Sequence, residues 1–402
     1  MNTNTGPGDI EVVQSSVAQT PNLEAMWCEL QERADASMFI SWSWIGTWLV
    51  SVPASIDVQV LRAERRGVLI GLALLVVAPL RGLRVPFGKV AHVHATGRAE
   101  FDGLAIEHNG FLLDRVEAHT AQAAMLNFLC DERREWRSVH LPGLSPRQAL
   151  LPEALPHAVK MDVHARVSAQ VLLQPVRDRD GDYLGLLSTG RRAHIRRSMR
   201  ACAEWGPLLL TQATDSESAA TYFDRLLHLH RARRASLGST SAFDTPFALE
   251  FHRKLIAQGL PRGEVQLVRV QAGEHEVGYL YSFVHRREIF FYQSGFDFGR
   301  VDHKFSPGLV TVALAIEHNA RLGHRCFDFL AGDAQYKKTL ATHSETMSWV
   351  ELHRDGPLLR AENLLRAAGR QGRDWLRKRL VNGTGSVGLA LLGVGACMDL
   401  AG

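Results

Sequence analysis

The sequence predicts a mixed α/β protein made of two similar units, each a mixed, twisted sheet flanked by helices. Three observations carry this. After residue 183, apolar runs of strand length alternate with amphipathic segments of helix length, the pattern of a layered αβ fold. A hairpin with one internal spacing occurs twice: Arg62 precedes Gly71, and Arg269 precedes Gly278, each by nine residues and each with apolar residues on either side of the glycine. The chain has 402 residues, enough for two such units.

Residues 1–20 are polar and aperiodic and are expected to form a disordered leader. The first unit is placed at 23–175. It opens with an amphipathic helix over Leu23–Ala34 and a second segment, Ser41–Val50, where Trp44 and Trp48 share a face at i, i+4 and are expected to pack the core. Val58–Ala63 and Val68–Ala78 then make the first hairpin across the turn Glu64-Arg65-Arg66-Gly67. A boundary is expected in the charged, Pro- and Gly-containing stretch Gln174–Gly185.

The second unit is placed at 183–352. Helices are expected at about Arg191–Trp205, Glu217–Ala235, Thr245–Gln258, Pro307–Leu322 and Ala334–Leu340. Strands are expected at Pro207–Gln212, Glu264–Ala272, Glu276–His285, Glu288–Phe296, Arg325–Leu330 and Thr346–Leu352. A basic amphipathic helix follows within 356–380 and a glycine-rich tail after it, so that 356–402 stands apart from both units. Such a helix packs on its own domain or lies on an anionic membrane surface.

Composition excludes several classes. A formal net charge of +4 is too small to imply nucleic acid by itself, and the longest apolar run, Val68–Leu80, is too short to cross a membrane. Five scattered cysteines without C-x-x-C spacing suggest free thiols and a reducing, cytoplasmic setting. There is no G-x-S-x-G, H-E-x-x-H or Walker-type loop. His92 and His94 can face one way on a strand, but no nearby cysteine completes a metal set, and no metal is expected.

The chemistry is expected in the second unit. Ser306-Pro307-Gly308 reads as a helix start, with Ser capping, Pro at the first helical position and Gly letting another group approach. It follows a strand that ends Gln293-Ser294-Gly295, and a glycine there marks a bulge or close backbone approach. A helix N-terminus with free N–H groups suits an anion. Further on, Asp328 sits at a strand end, followed by Gly332, Asp333, Tyr336 and Lys337. Lys337 suits an oxyanion or an acidic group, and Asp328 can orient it or accept a proton. Tyr336 is a donor or a cleft wall, His230 is the candidate general base, and Asp333 can cap the short helix after it. The cluster Arg191, Arg192, Arg196, Arg197 and Arg200, with no acidic residue from Tyr183 to Ala203, is a solvated face or a phosphate-binding one.

Taken in order, Leu229-His230-x-x-Arg233, Phe251-His252, Tyr292–Asp297, Ser306–Gly308, Phe327–Asp333 and Tyr336-Lys337 resemble the second domain of GNAT-fold acyltransferases of the Fem-like, CelD-type branch, associated with cellulose and exopolysaccharide synthesis. The motifs cover about 190–352; residues 23–175 fit the first domain more loosely. The resemblance implies two tandem GNAT-like domains and a transferase that moves an acyl group, acetyl above all, from acyl-CoA to an amine or hydroxyl of a polysaccharide precursor or envelope metabolite. It places the donor at Ser294, Gly295, Ser306, Gly308 and Leu309, the acceptor at Tyr292, Arg233, Gly332 and Asp333, and the reactive cleft at Lys337, Asp328, Tyr336 and His230. One departure keeps the donor open: Arg300–Gly308 holds a single glycine where acetyl-CoA enzymes of this fold carry Gln/Arg-x-x-Gly-x-Gly/Ala. The alternatives are a Fem-like aminoacyl transferase using charged tRNA and a non-catalytic scaffold of a polysaccharide-synthesis assembly.

Overall fold

A computed structural model describes residues 2–6, 9–79, 88–104, 106–131, 134–156, 159–299 and 305–354. The first half of the chain runs β1 (Asn2–Gly6), β2 (Ile10–Ser16), α1 (Leu23–Arg33), α2 (Trp42–Ser51), β3 (Val58–Arg65), β4 (Val68–Pro79), β5 (Lys89–Val93), α3 (Ala99–Asp102), β6 (Leu112–Leu113), α4 (Ala118–Cys130), β7 (Trp136–Leu144) and β8 (Val159–Leu172). The second half runs α5 (Gln174–Arg177), α6 (Thr189–Ala203), β9 (Leu208–Gln212), α7 (Ser216–Ser236), α8 (Pro246–Gly259), β10 (Val265–Ala272), β11 (His275–His285), β12 (Glu288–Phe296), α9 (Pro307–Arg321), β13 (Cys326–Ala331), α10 (Gln335–Leu340) and β14 (His343–Arg354).

The two halves repeat one topology. β2, β3, β4 and β5 are antiparallel neighbours, and β7 joins β5 in parallel after the crossover helix α4. β9, β10, β11 and β12 are likewise antiparallel, and β13 joins β12 in parallel after α9. The twin hairpins match in register. Arg62 lies opposite Leu72 and Ala63 opposite Gly71, with the register shifting directly after; Arg269 lies opposite Tyr279 and Val270 opposite Gly278, with the same shift.

The strands do not respect the boundary expected near 174–185. β8, placed in the first unit, is antiparallel to β13, while β14, placed in the second, is antiparallel to β7. β8 and β14 also pair with each other from His343↔Gln170 to Arg354↔Val159. Each half thus lends its last strand to the other, and one mixed sheet runs from β1 to β9. The disordered leader is a second correction. Ile10–Ser16 pairs with β3 along its length and buries Ile10, Val12 and Val13; three apolar residues were too few to stand out in a polar stretch. The basic helix expected within 356–380 and the tail after it lie outside the described residues.

Apolar packing joins the halves as well. Trp44, at 1% exposure, sets its ring 4.9 Å from Phe251 on α8 and 5.6 Å from Phe283 on β11. Trp48, one turn on, is equally buried, so the tryptophan face of α2 is core. No helix among the described residues is long and apolar enough to cross a membrane.

Candidate functional site

β12 and β13 pair only over Glu288–Phe290 and Cys326–Asp328. Past Phe290, β12 stays with β11 but slips register at Tyr292, which leaves that residue as a bulge. Past Asp328, β13 follows β8 through its own irregularity. The two strands part, and a cavity of about 550 Å³ opens in the wedge. Phe291–Ser294 line one wall and Phe329–Ala331 the other. The start of α9 lines it through Ser306, Gly308 and Leu309, with His194 of α6 beside Ser306; His230, Arg233 and Arg234 of α7 line it as well. Tyr336 and Lys337 of α10 line it beside the end of β13, and Glu107 enters from the first half.

Asp328 anchors the wedge without lining it. Its Oδ1 accepts from Ser168 Oγ (2.7 Å) and the Leu330 N–H (2.7 Å), and its Oδ2 accepts from Gln170 Nε2 (2.8 Å). His108 Nε2 lies 3.2 Å from Oδ2, off the line of a hydrogen bond, so the contact is electrostatic. Burial alone would raise this carboxyl, but His108 and the three donors outweigh it and hold it below the usual range. The same pairing lifts His108 despite its own burial. Asp328 is therefore an ionised structural anchor, and the proton-accepting role expected of it does not fit. Its bond to the Leu330 N–H accompanies a left-handed Leu330, φ +61°, which turns the chain into the cavity wall.

Lys337 lines the cavity but is only 5% exposed. Nζ donates to the carbonyls of Leu330 (3.0 Å) and Ala331 (2.7 Å), tying α10 to the end of β13. Burial lowers its pKa, while the charges of Glu107 and Asp328 pull it back up. A lysine so placed also holds structure, against the expectation that it would be a free cation at the cleft. Two of its three protons are committed, leaving one for the cavity.

His230 and Arg233, three residues apart, share the α7 face at the cavity. Ser294 O is an acceptor 3.0 Å from His230 Nδ1, so Nδ1 carries the proton. Nε2 is then a bare lone pair, buried without a partner, and burial lowers the ring's pKa. Arg233 lies over the Phe298 ring at 4.4 Å.

Tyr292 lines the cavity, but its ring packs among Trp44, His252, Tyr281 and Phe283 and its hydroxyl is committed. Tyr292 donates to Leu104 O (2.7 Å) and receives from His252 Nε2 (3.1 Å), and Tyr281 Oη lies 3.3 Å from His252 Nδ1. Burial drives His252 down to about 3, so this chain of bonds is neutral. Tyr336 lines the cavity beside Phe329, its hydroxyl pushed up by burial.

Other expectations need correction. The Ser306 side chain makes no cap bond; its Oγ sits 3.4 Å from His194 Nε2, and its N–H donates to Ser198 Oγ (3.2 Å). The first turn of α9 is thus left without a side-chain cap. A Cβ at Gly308 would meet the Phe296 ring at 3.0 Å, so the ring would have to shift to admit any side chain there. Gly295 does not line the cavity: a Cβ would meet the Leu226 carbonyl oxygen at 2.4 Å, so this glycine lets β12 touch the backbone of α7. Gly332, at φ +135°, turns the chain and donates its N–H to Val167 O. Asp333 neither lines the cavity nor caps α10; its side chain is 91% exposed, near Lys338.

Sequence reasoning passed over Glu107 and His108. Glu107 Oε2 accepts the Ala331 N–H at 2.5 Å, and burial pushes its carboxyl up to about 7 against the opposing pull of that bond and of Lys337. The signal was present: a charged pair set between the apolar runs Leu104–Ile106 and Phe111–Leu113 is costly unless partnered or used.

Residues 189–338 match the family model described as an acetyltransferase (GNAT) domain. A structure described as FemX superposes with a TM-score of 0.53 at 10% identity, covering 84% of this chain and 96% of that one. Two looser likenesses are the C-terminal domain of a putative lysylphosphatidylglycerol synthetase from Agrobacterium fabrum (TM-score 0.49, 12% identity, 85% of this chain and 95% of that one) and a tandem GNAT protein from the clavulanic acid biosynthesis pathway (0.43, 13%, 87% and 99%). No curated protein matches the sequence. The chain is a transferase that carries a GNAT-type acetyltransferase domain over residues 189–338.

Proposed function

We propose that this protein moves an acyl group, acetyl above all, from acyl-CoA to an amine or hydroxyl of a polysaccharide precursor or envelope metabolite. The observation that supports the reading best is the wedge between β12 and β13 with the uncapped first turn of α9 at its end. An acyl thioester laid along β12 beyond Phe290 meets backbone that has no partner strand on that side. The free N–H groups and positive dipole end of α9 suit the diphosphate, and the guanidinium groups of Arg233 and Arg234 belong to residues that line the same cavity. The remaining Lys337 proton and the β12 edge are the donors for a tetrahedral oxyanion. The aromatic walls exclude water from the thioester.

An aminoacyl-tRNA donor is the second reading. It is favoured by Arg191, Arg196, Arg197 and Arg200 of α6, all exposed and without an ion pair among the described residues. Calorimetric titration separates the two. Saturable binding of acetyl-CoA supports the first reading; steeply salt-dependent binding of tRNA with none of acetyl-CoA supports the second. Binding of neither overturns both.

A further inference from the structure

We propose that Glu107, delivered by the half of the chain outside the matched acetyltransferase domain, takes the proton from the acceptor during transfer, and that the acceptor is an amine. The inference rests on the acyl-transfer reading above. Glu107 lines the cavity at 8% exposure. Its Oε2 is held by the Ala331 N–H at the end of β13, which fixes the carboxyl against the wedge. Nothing among the described residues donates to Oε1.

The other candidates are occupied or out of reach. His230 Nε2 is unpartnered but shut away from solvent. Asp328 lies beneath the wall and is saturated with donors. The Tyr292 hydroxyl is spent on Leu104 O. Lys337 donates to two carbonyls and forms no ion pair with Glu107. Among the described residues, Glu107 Oε1 is the free carboxylate acceptor in the cleft.

The step balances. The amine nitrogen bonds to the thioester carbonyl carbon, and the carbon–sulfur bond breaks. The proton shed by nitrogen goes to Glu107 Oε1 and then to the departing thiolate, so a neutral amine and a thioester leave as an amide and a thiol. Nitrogen bonded to the carbonyl carbon is acidic enough to give its proton to a carboxylate. A hydroxyl could give its proton to the same base, but a carboxylate with one free oxygen in a buried cleft also pairs with the ammonium form in which an amine arrives, a contact that a hydroxyl cannot make. The raised Glu107 carboxyl, about 7, leaves the base half ionised at neutral pH. The charged and titratable groups facing it are Lys337 from α10, Asp328 from β13, Tyr292 from β12 and His108 beside it, with His230, Arg233 and Arg234 of α7 and His194 of α6 around the cavity.

The test uses the full chain and Glu107→Gln, whose amide oxygen still accepts from Ala331. The probes are 2-phenylethylammonium and its isostere 2-phenylethanol, titrated by calorimetry at pH 6 and pH 8. A carboxyl near 7 goes from one-eleventh to ten-elevenths ionised across that interval, so wild type should bind the cation about tenfold more tightly at the higher pH. Glu107→Gln should lose that dependence, and the alcohol should show none with either protein. Equal cation affinity at both pH values, an unchanged Glu107→Gln, or no cation binding overturns the proposal. Acetyl-CoA is titrated into both proteins separately. Its failure to bind, with the amine result intact, would overturn the donor reading alone.

Discussion

Lys337→Met removes one charge while keeping most of the stem's bulk, and its cost follows from the geometry. The ammonium donates 3.0 Å to Leu330 O and 2.7 Å to Ala331 O. Each charge-assisted bond contributes roughly 1.5–3 kcal/mol, and a carbonyl left buried without a donor costs about 1–3 kcal/mol. Relief of the buried ammonium's desolvation offsets part of this. The net loss should be about 2–4 kcal/mol, a fall of several degrees in the melting temperature. If the third proton meets the oxyanion, turnover should also fall by roughly 100- to 1,000-fold. Acetyl-CoA affinity should hold, because that contact forms only in the transition state. The assay is a thermal melt beside single-turnover transfer at saturating donor, with Lys337→Arg as the charge-retaining control. An unchanged melt would show that the ammonium does not hold the end of β13. An unchanged single-turnover rate would remove Lys337 from the chemistry.

Gly295→Ala should destabilise by about 1–3 kcal/mol or more, because its Cβ meets α7 backbone that cannot swing aside; an unshifted denaturant midpoint would contradict the close approach of β12 to α7. The raised His108 stabilises the fold fully below the ordinary histidine value of about 6.5, and that contribution is lost as pH rises through its higher folded value. Wild-type melting temperature should therefore decline above that point, and Asp328→Asn should flatten the decline; parallel pH–melt curves would refute the pairing.

Much of the second half was legible because its signals are local. The strand expected at Glu288–Phe296 has those bounds in the structure, and the helix expected at Pro307–Leu322 ends one residue earlier, at Arg321. The Arg–Gly hairpins also carried their shared register in plain spacing. The exchange of β8 and β14 was not legible, since pairs such as Cys326↔Leu172 join residues far apart in sequence and leave no local pattern. Within the site, His230, Arg233 and Lys337 line one cavity, and each lies in a motif that the sequence displays. Asp328 changed role because its partners Ser168 and Gln170 lie on a strand lent by the other half. Glu107 was missed because it sits in a connection with neither helical nor strand periodicity, between α3 and β6.

The central claim is that an acyl donor lies in the wedge with its phosphates at the start of α9. Hydrogen–deuterium exchange on the full chain, with and without saturating acetyl-CoA, tests it most directly. The account predicts slowed exchange at the amides of Gly308 and Leu309 and along Phe291–Ser294, with little change in β2 and β3. Unchanged exchange at those amides, or protection confined to α6, would contradict it.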